Sequence, residues 1–465
     1  MDTQGVRWTA DQVLALAPDD ASRRAGSRLG TSGPWSGTGS DGQGAVWGLC
    51  RGSGSTPYRT VVDTTGPAYA CSCPSRKFPC KHALGLLLLR SGDEAAVTVT
   101  DVPDWAARWL ESRRERAGRA RTGDAEGSGR PAAADPEAAR RRAERRAARI
   151  TSGAQELEQR LADLLRGGLA AAEGAGYGLW EETAARMVDA QAPGLAGRVR
   201  ELGAIPGSGA GWPVRLLEEC ALTHLLDRAW LSVDRLPAPL AATVRTRVGL
   251  TAPAEGPAVR DRWLVLAQYD SADGRLTTRR AWLHGRESGR TALLLSFGAA
   301  GRAPAPALPV GTVIDAVLTR HAGAGALRAE LGEQFGPPAP LDAPPPGGTV
   351  GEALAAYGHA LREDPWLDSW PVTLTDVLPI PTDHGWQLAD AAPAGPGGSG
   401  SGGGGGGGGE AIPVSGPALG RPGLWRLAAL SGGRPVTVFG ECGHRGFTPL
   451  AAWSADAPGE TVPLH

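Results

Sequence analysis

Four residues whose side chains bind metal ions lie within twelve positions of one another. The segment ACSCPSRKFPCKHAL (residues 70–84) places Cys71, Cys73, Cys80 and His82 in the spacing C-x-C-x6-C-x-H. Thiolate and imidazole are groups that Zn²⁺ prefers, and three Cys with one His complete its tetrahedral shell. Because no position stays open for water, the sequence predicts one structural zinc ion. The alternative, ordinary reduced cysteines in a loop, is weakened by the well-placed His.

The neighbouring sequence predicts the elements that hold these ligands. Alternate residues of an extended segment share a face, so Cys71 and Cys73 are expected to point the same way. Two prolines bracket the loop that returns to Cys80, and the apolar run 83–90 predicts a helix that begins near His82. Upstream, residues 45–50 and 58–62 read as a β-hairpin with a GSGS turn.

This combination resembles the SWIM zinc finger. In that family a C-x-C pair is followed by a gap of variable length and then by C-x-H, and the ligands lie on a ββα unit. All four ligand positions match, and the resemblance covers about residues 45–92. It implies a DNA-binding or protein-interaction module. Because the chain has no phosphate-binding loop, it looks most like stand-alone actinobacterial SWIM proteins. That resemblance implies a setting beside MoxR-type AAA+ ATPases and von Willebrand A-domain proteins.

Composition excludes several enzyme classes. The chain has 48 basic residues, of which only Lys77 and Lys81 are lysines. Neither follows a Gly-rich loop, so a Walker A site is excluded, and a kinase or Schiff-base lysine is not expected. There is also no G-x-S-x-G elbow and no paired metal-protease histidines. We therefore expect no catalytic residues and no enzyme activity; an enzyme within residues 240–465 that lacks a recognisable motif is the alternative.

Charge and cysteine content bear on partner and compartment. Residues 1–150 contain 23 basic and 17 acidic side chains, whereas residues 151–465 contain 25 and 32. Arg76, Lys77 and Lys81 make the finger loop basic and are the candidate contacts to a partner or nucleic acid; a simply solvated face is the alternative. The N-terminal sequence does not resemble a signal peptide, no apolar run is long enough to span a membrane, and six cysteines suit a reducing cytoplasm.

Three further cysteines are weaker candidates for metal binding. Cys220 and His224 are one helical turn apart, but a core pair is favoured because no second pair lies near them in sequence. Cys442 and His444 repeat the C-x-H spacing without a companion C-x-C. Cys50 is expected near the finger, where four ligands already complete the shell.

The pattern predicts an α+β multidomain chain. An N-terminal finger domain (1–110) is followed by an Arg-rich linker (111–149) that is at most partly helical. A bundle of three or four helices (150–236) comes next. Two β-rich domains (240–345 and 346–465) complete the chain, and the second contains a Gly-rich tract (395–409) that we expect to be an enlarged loop.

Within these domains, residues 217, 220, 224 and 225 are expected to share one buried helical face. Residues 424–427 are expected to form a strand, and residues 336–348 a loop. The functional prediction is zinc-dependent, non-catalytic interaction with a protein, and the alternative is zinc-dependent binding of nucleic acid.

Overall fold

The computed structural model describes most of the chain. The described residues are 8–17, 20–52, 54, 56–64, 68–75, 79–93, 95–122, 136–169, 172, 176–250, 254, 256–273, 276–299, 304, 307–321, 327–383, 385–391 and 409–465. No helix within these ranges is long and apolar enough to cross a membrane.

The N-terminal region is a four-stranded antiparallel sheet with helices on both faces. Its strands follow chain order: β1 (Trp35–Ser40), β2 (Ala45–Cys50), β3 (Tyr58–Asp63) and β4 (Ala68–Cys71). Its helices are α1 (Ala10–Ala15), α2 (Asp20–Ser27), α3 (Lys81–Gly92) and α4 (Asp104–Thr122). Successive residues of a strand face opposite sides of the sheet. Val46 and Val62 therefore pack on α3, whereas Trp47 and Val61 pack on α4. The predicted hairpin is therefore present, inside a larger sheet.

A helical bundle follows, built by α5 (Pro136–Gly167), α6 (Gly176–Asp189), α7 (Pro193–Ala204), α8 (Trp212–Leu231) and α9 (Ala238–Val248). One apolar core joins them, with Leu157, Met187, Val199 and Leu216 among its buried members. The structure describes five helices in this bundle. Three or four were expected between residues 150 and 236, and the fifth, α9, lies beyond residue 236.

The next unit is a closed β-barrel. Its strands are β5 (Ala258–Asp273), β6 (Leu276–Gly285), β7 (Thr291–Ala299), β8 (Thr312–Arg320) and β9 (Arg328–Gln334), with β10 (Ala339–Pro340) paired to β8 at the edge. The long β5 pairs with both β6 and β8, β7 pairs in parallel with β9, and β9 pairs with β8. This strand order, β5-β6-β7-β9-β8, is that of an OB-fold barrel.

The last unit is a six-stranded sheet of order β13-β12-β11-β14-β15-β16. The strands are β11 (Ser369–Thr382), β12 (Gly385–Asp390), β13 (Ala411–Pro413), β14 (Val436–Gly443), β15 (Gly446–Ser454) and β16 (Ala457–Pro463). Its helices are α10 (Val350–Glu363), α11 (Gly416–Leu419) and α12 (Pro422–Ser431). Because β12 and β13 are paired, the Gly-rich tract joins two neighbouring strands of one sheet.

Four sequence expectations need correction. Residues 424–427 lie in α12 and not in a strand: Leu424 and Leu427 are buried one turn apart, with Pro422 at the helix start and Gly432 in the left-handed region after its end. The Arg-rich segment 111–149 is helical wherever it is described, and α5 runs through residue 149. A short strand, β10, lies within the expected loop 336–348.

The fourth correction concerns the buried face of α8. Leu217, His224 and Leu225 are exposed, whereas Leu216, Thr223, Leu226 and Trp230 are buried together with Cys220. Apolar residues lie on both sides of this helix, so their spacing alone favoured the wrong side.

Candidate metal centre

Two elements of the N-terminal region bring the four predicted ligands together. Strand β4 ends at Cys71, and Cys73 follows in the turn. Helix α3 begins with Cys80 in the N-cap position and His82 in its first turn. The apolar residues after His82 are buried against the sheet, so the packing of α3 fixes where Cys80 and His82 lie.

The four donor atoms form a compact group. The sulfurs of Cys71, Cys73 and Cys80 and a ring nitrogen of His82 all lie within 4.8 Å of one another. Cys71 Sγ is 3.6 Å from His82 Nδ1. Sulfur and nitrogen ligands of one tetrahedral zinc ion, at about 2.3 and 2.0 Å from the metal, lie about 3.6 Å apart. The residues present therefore fit a zinc ion, held by three thiolates and one imidazole.

The protonation of the thiols also fits a cation. A hydrogen bond from Cys80, supported by others from His82 and Thr60, lowers the pKa of Cys71 to about 3 despite its burial. The same contact with Cys71, followed by burial, raises the pKa of Cys80. Burial raises the pKa of Cys73. Three sulfurs this close cannot all be negative without a counter-charge, and a divalent ion supplies it.

Two residues that the sequence reading missed support the ligands. Thr60 is opposite Cys71 in the β3–β4 ladder, and its buried hydroxyl is 3.2 Å from Cys71 Sγ. The ring of Tyr58 lies over the His82 imidazole, with 4.8 Å between the centroids. Such contacts orient metal ligands. Pairing 58–62 with the extended segment that holds Cys71 would have placed Thr60 correctly, but the sequence analysis did not predict that pairing.

The predicted partner contacts are only partly described. Lys81 is exposed and lies at the start of α3 beside the ligands. Arg76 and Lys77 lie outside the described residues. Cys50 is buried near the site, where burial, followed by the charge of Cys71, raises its pKa. As expected, Cys50 is not a member of the donor group.

Neither of the weaker metal candidates forms a metal site in the described residues. Cys220 is buried in the bundle core, and His224 is exposed on another side of α8. Cys442 is buried under the C-terminal sheet, whereas the exposed His444 has its Nδ1 3.4 Å from the Tyr357 hydroxyl. Among the described side chains, the finger cluster alone groups three or more Cys, His, Asp or Glu donors suitably for a metal.

Comparison with known families identifies two segments. The family model of the SWIM zinc finger matches residues 61–91, which span the second half of β3, all of β4, all four ligands and nearly all of α3. The family model of the SWIM-associated four-helix bundle domain matches residues 145–248, which span most of α5 and all of α6–α9. No curated protein and no solved structure shows a significant match to the chain.

Proposed function

Because this chain contains a SWIM zinc finger followed by a SWIM-associated bundle, we propose that it is a non-catalytic, zinc-dependent interaction protein whose finger binds another protein. The observation that supports this most directly is the closed Cys₃His group. It leaves no coordination position for a substrate, so the metal serves to hold β4 against α3.

The surroundings of the finger favour a binding role over an isolated structural one. The sheet is covered by α3 on one face and α4 on the other, so its two apolar faces are already buried. The start of α3, in contrast, presents the exposed Lys81 beside the ligands. A charged side chain held at the surface by a packed scaffold is the usual setting for recognition.

Nucleic acid is the second candidate, because the finger region is the basic part of the chain. The barrel does not add support for nucleic-acid binding. In OB-folds the face of the second and third strands binds oligonucleotides. Here the centre of that face is covered by the C-terminal sheet: Trp282 packs on Phe439, and both Trp282 Nε1 and Tyr269 Oη donate to Glu441. We therefore favour a protein partner.

The resemblance suggests which partners to test first, namely a MoxR-type AAA+ ATPase or a von Willebrand A-domain protein of the same cell. The test is affinity purification of the tagged full-length chain, with nuclease in one arm and the Cys71→Ser, Cys80→Ser variant in another. We expect a protein that survives nuclease and is lost with the variant. A partner that is lost on nuclease treatment would favour nucleic acid as the target. Capture of the same partner by the Cys71→Ser, Cys80→Ser variant would contradict a role for the finger.

A further inference from the structure

Helix α5 begins well before the core of the bundle that it helps to build. Its first buried core residue is Ile150, and of the described residues before it only Ala147 packs against that core. Residues 136–149 therefore form a helical arm, about 21 Å long, that precedes the core. Arg146 holds the base of the arm in place, because its Nη2 donates to the Gly249 carbonyl at the end of α9.

The arm is strongly basic. Its fourteen residues comprise six arginines, two glutamates, five alanines and one proline. Both glutamates pair within the helix, Glu137 with Arg141 and Glu144 with Arg140. These pairs neutralise two of the six arginines and leave four positive charges.

Three of the remaining arginines form a line along one face of the helix. Arg142, Arg145 and Arg149 are spaced i, i+3, i+7, which places about one side chain per turn on that face. All three are exposed, and none makes an ion pair or a hydrogen bond with a residue that the structure describes. We call these three residues the arginine stripe.

The rest of α5 differs from the stripe in this respect. Further along the helix, Arg160 pairs with Glu156, and Arg166 pairs with Asp163. Each arginine of α5 outside the stripe thus contacts a carboxylate or, in the case of Arg146, a backbone carbonyl. The unneutralised cations of this helix are confined to one exposed face of the arm.

We propose that the arginine stripe binds the phosphate backbone of duplex nucleic acid, without reading its sequence. This goes beyond the function proposed for the finger, because it assigns a second surface and a second class of partner. Guanidinium groups are always charged and form bidentate hydrogen bonds with phosphate oxygens. The stripe presents one of them about every 5 Å along the arm, and their long side chains can adjust to a row of phosphates.

The composition of the arm favours nucleic acid over a protein as the occupant. A protein interface is centred on large apolar or aromatic residues that lose their water. The exposed residues between the arginines of the stripe are Ala143, Glu144 and Ala148, so the stripe offers no such anchor. Backbone recognition needs only the cations. Residues 136–149 also contain no aromatic residue, which favours a duplex over a single strand bound by base stacking.

The test is fluorescence anisotropy of a short labelled DNA duplex of arbitrary sequence with the full-length zinc-loaded protein, repeated at several salt concentrations. The stripe variant replaces all three arginines of the stripe by alanine. The matched control removes the same charge from three exposed, ion-paired arginines of the same bundle: Arg166→Ala, Arg186→Ala and Arg228→Ala. Alanine favours helix, so both variants should keep the helical content of the bundle, which circular dichroism checks.

Three further measurements separate the alternatives. A single strand of the same length and a labelled acidic peptide of alternating Glu and Ala replace the duplex as ligands. The Cys71→Ser, Cys80→Ser variant, which lacks two zinc ligands, shows whether duplex binding depends on the finger.

We expect saturable duplex binding whose affinity falls as the salt concentration rises. The stripe variant should weaken this binding about tenfold or more at low salt. It should also flatten the slope of log affinity against log salt by about 2.7, at about 0.9 for each of three phosphate contacts. The control and the finger variant should bind the duplex nearly as the wild-type chain does.

Equal weakening by the control, absence of saturable binding, or tighter binding of the single strand or the acidic peptide would overturn the inference. Loss of duplex binding in the finger variant, with full binding by the stripe variant, would also overturn it and would support nucleic acid as the target of the finger. Capture of a zinc-dependent protein partner tests the proposed function separately, because the stripe variant leaves the finger unchanged.

Discussion

At the scale of single residues, the metal centre depends on four donor atoms that lie within 4.8 Å of one another. The Thr60 hydroxyl contacts Cys71 Sγ, and the Tyr58 ring packs on the His82 imidazole. Such contacts orient metal ligands and lower the entropy that the ligands lose on binding. A closed, mostly thiolate site of this kind should bind zinc tightly.

The first prediction is that the chain retains one zinc per molecule through desalting, and that Cys71→Ser with Cys80→Ser abolishes it. Two of the three thiolates are then lost, and a hydroxyl is a poor zinc ligand. Elemental analysis measures the metal. The double variant Cys220→Ser, Cys442→Ser, at buried cysteines outside the donor group, is the control that should keep a full equivalent. A full equivalent in the finger variant would contradict the assignment.

Asp227 is a second residue with a measurable signature. It is fully buried in the bundle, and neither carboxylate oxygen has a hydrogen-bond partner among the residues that the structure describes. Burial, with a smaller effect of Glu158, raises its pKa to about 8. The native state therefore binds this proton more tightly than the unfolded chain. The contribution of Asp227 to the free energy of unfolding is therefore fully present below about pH 4 and is lost as the pH rises towards 8, by up to about 1.4 kcal/mol per pH unit.

The second prediction follows: Asp227→Asn removes this part of the pH dependence, because Asn cannot ionise. The variant should unfold at a higher temperature than the wild-type chain at pH 8, and the gain should shrink or vanish at pH 5. Thermal melts at several pH values, followed by circular dichroism, test this. Asp234→Asn, at an exposed carboxylate nearby in sequence, is the control. Equal shifts at all pH values would show that Asp227 is charged in the native state.

At the scale of elements, the zinc ion is expected to hold β4, which has little apolar core of its own, against α3. Strand β4 has no buried residue, whereas α3 has eight consecutive buried ones. We infer that α3 is held by its own packing and that β4 and the loop depend on the metal. The finger is also not a free module, since Ala307 from the barrel belongs to the same apolar core.

The third prediction is that chelation loosens the finger locally. Hydrogen exchange should speed up in β4 and the first turn of α3, while α5–α9 keep their protection because their core contains no ligand. Exchange with and without a chelator, read by mass spectrometry, measures this, and the Cys71→Ser, Cys80→Ser variant should reproduce the chelated pattern. Loss of protection throughout α5–α9 would show that the metal supports the fold of the whole chain.

At the scale of the molecule, the units share contacts that the sequence does not reveal. Trp366, which precedes the C-terminal sheet, is buried in the core of the bundle, and its Nε1 donates to the Leu222 carbonyl. Asp364, two residues earlier, accepts two hydrogen bonds from Arg247 of α9. The C-terminal sheet also shares a core with the barrel, through Trp282, Phe439 and Trp453. The bundle is thereby held to the C-terminal part of the chain.

The fourth prediction is that Trp366→Ala uncouples these units. Loss of a buried Trp costs about 3–5 kcal/mol, and here the loss falls on a contact between two cores. Calorimetry should show the bundle melting earlier and apart from the β units. Trp425→Ala, at a Trp that is 68% exposed, is the control and should leave the melt nearly unchanged. A single transition shifted as a whole would mean that the units remain coupled through other contacts.

The sequence alone determined the zinc ligands and most elements around them. Cys71, Cys73, Cys80 and His82 were predictable because metal coordination is set by donor type and short spacing, which are local properties. The β2–β3 hairpin followed from local signals for the same reason. The helical bundle was predictable as well, with four described helices between residues 150 and 236, whereas α9 lies beyond the expected bounds.

Tertiary structure alone decided which faces are buried and which distant segments meet. The wrong face of α8 and the strand expected at residues 424–427 were errors where apolar residues fitted two patterns, so packing partners made the choice. Closure of the barrel depends on the β7–β9 and β8–β9 pairings, which no local signal encodes. Such features depend on contacts between segments far apart in sequence, and a local pattern does not specify them.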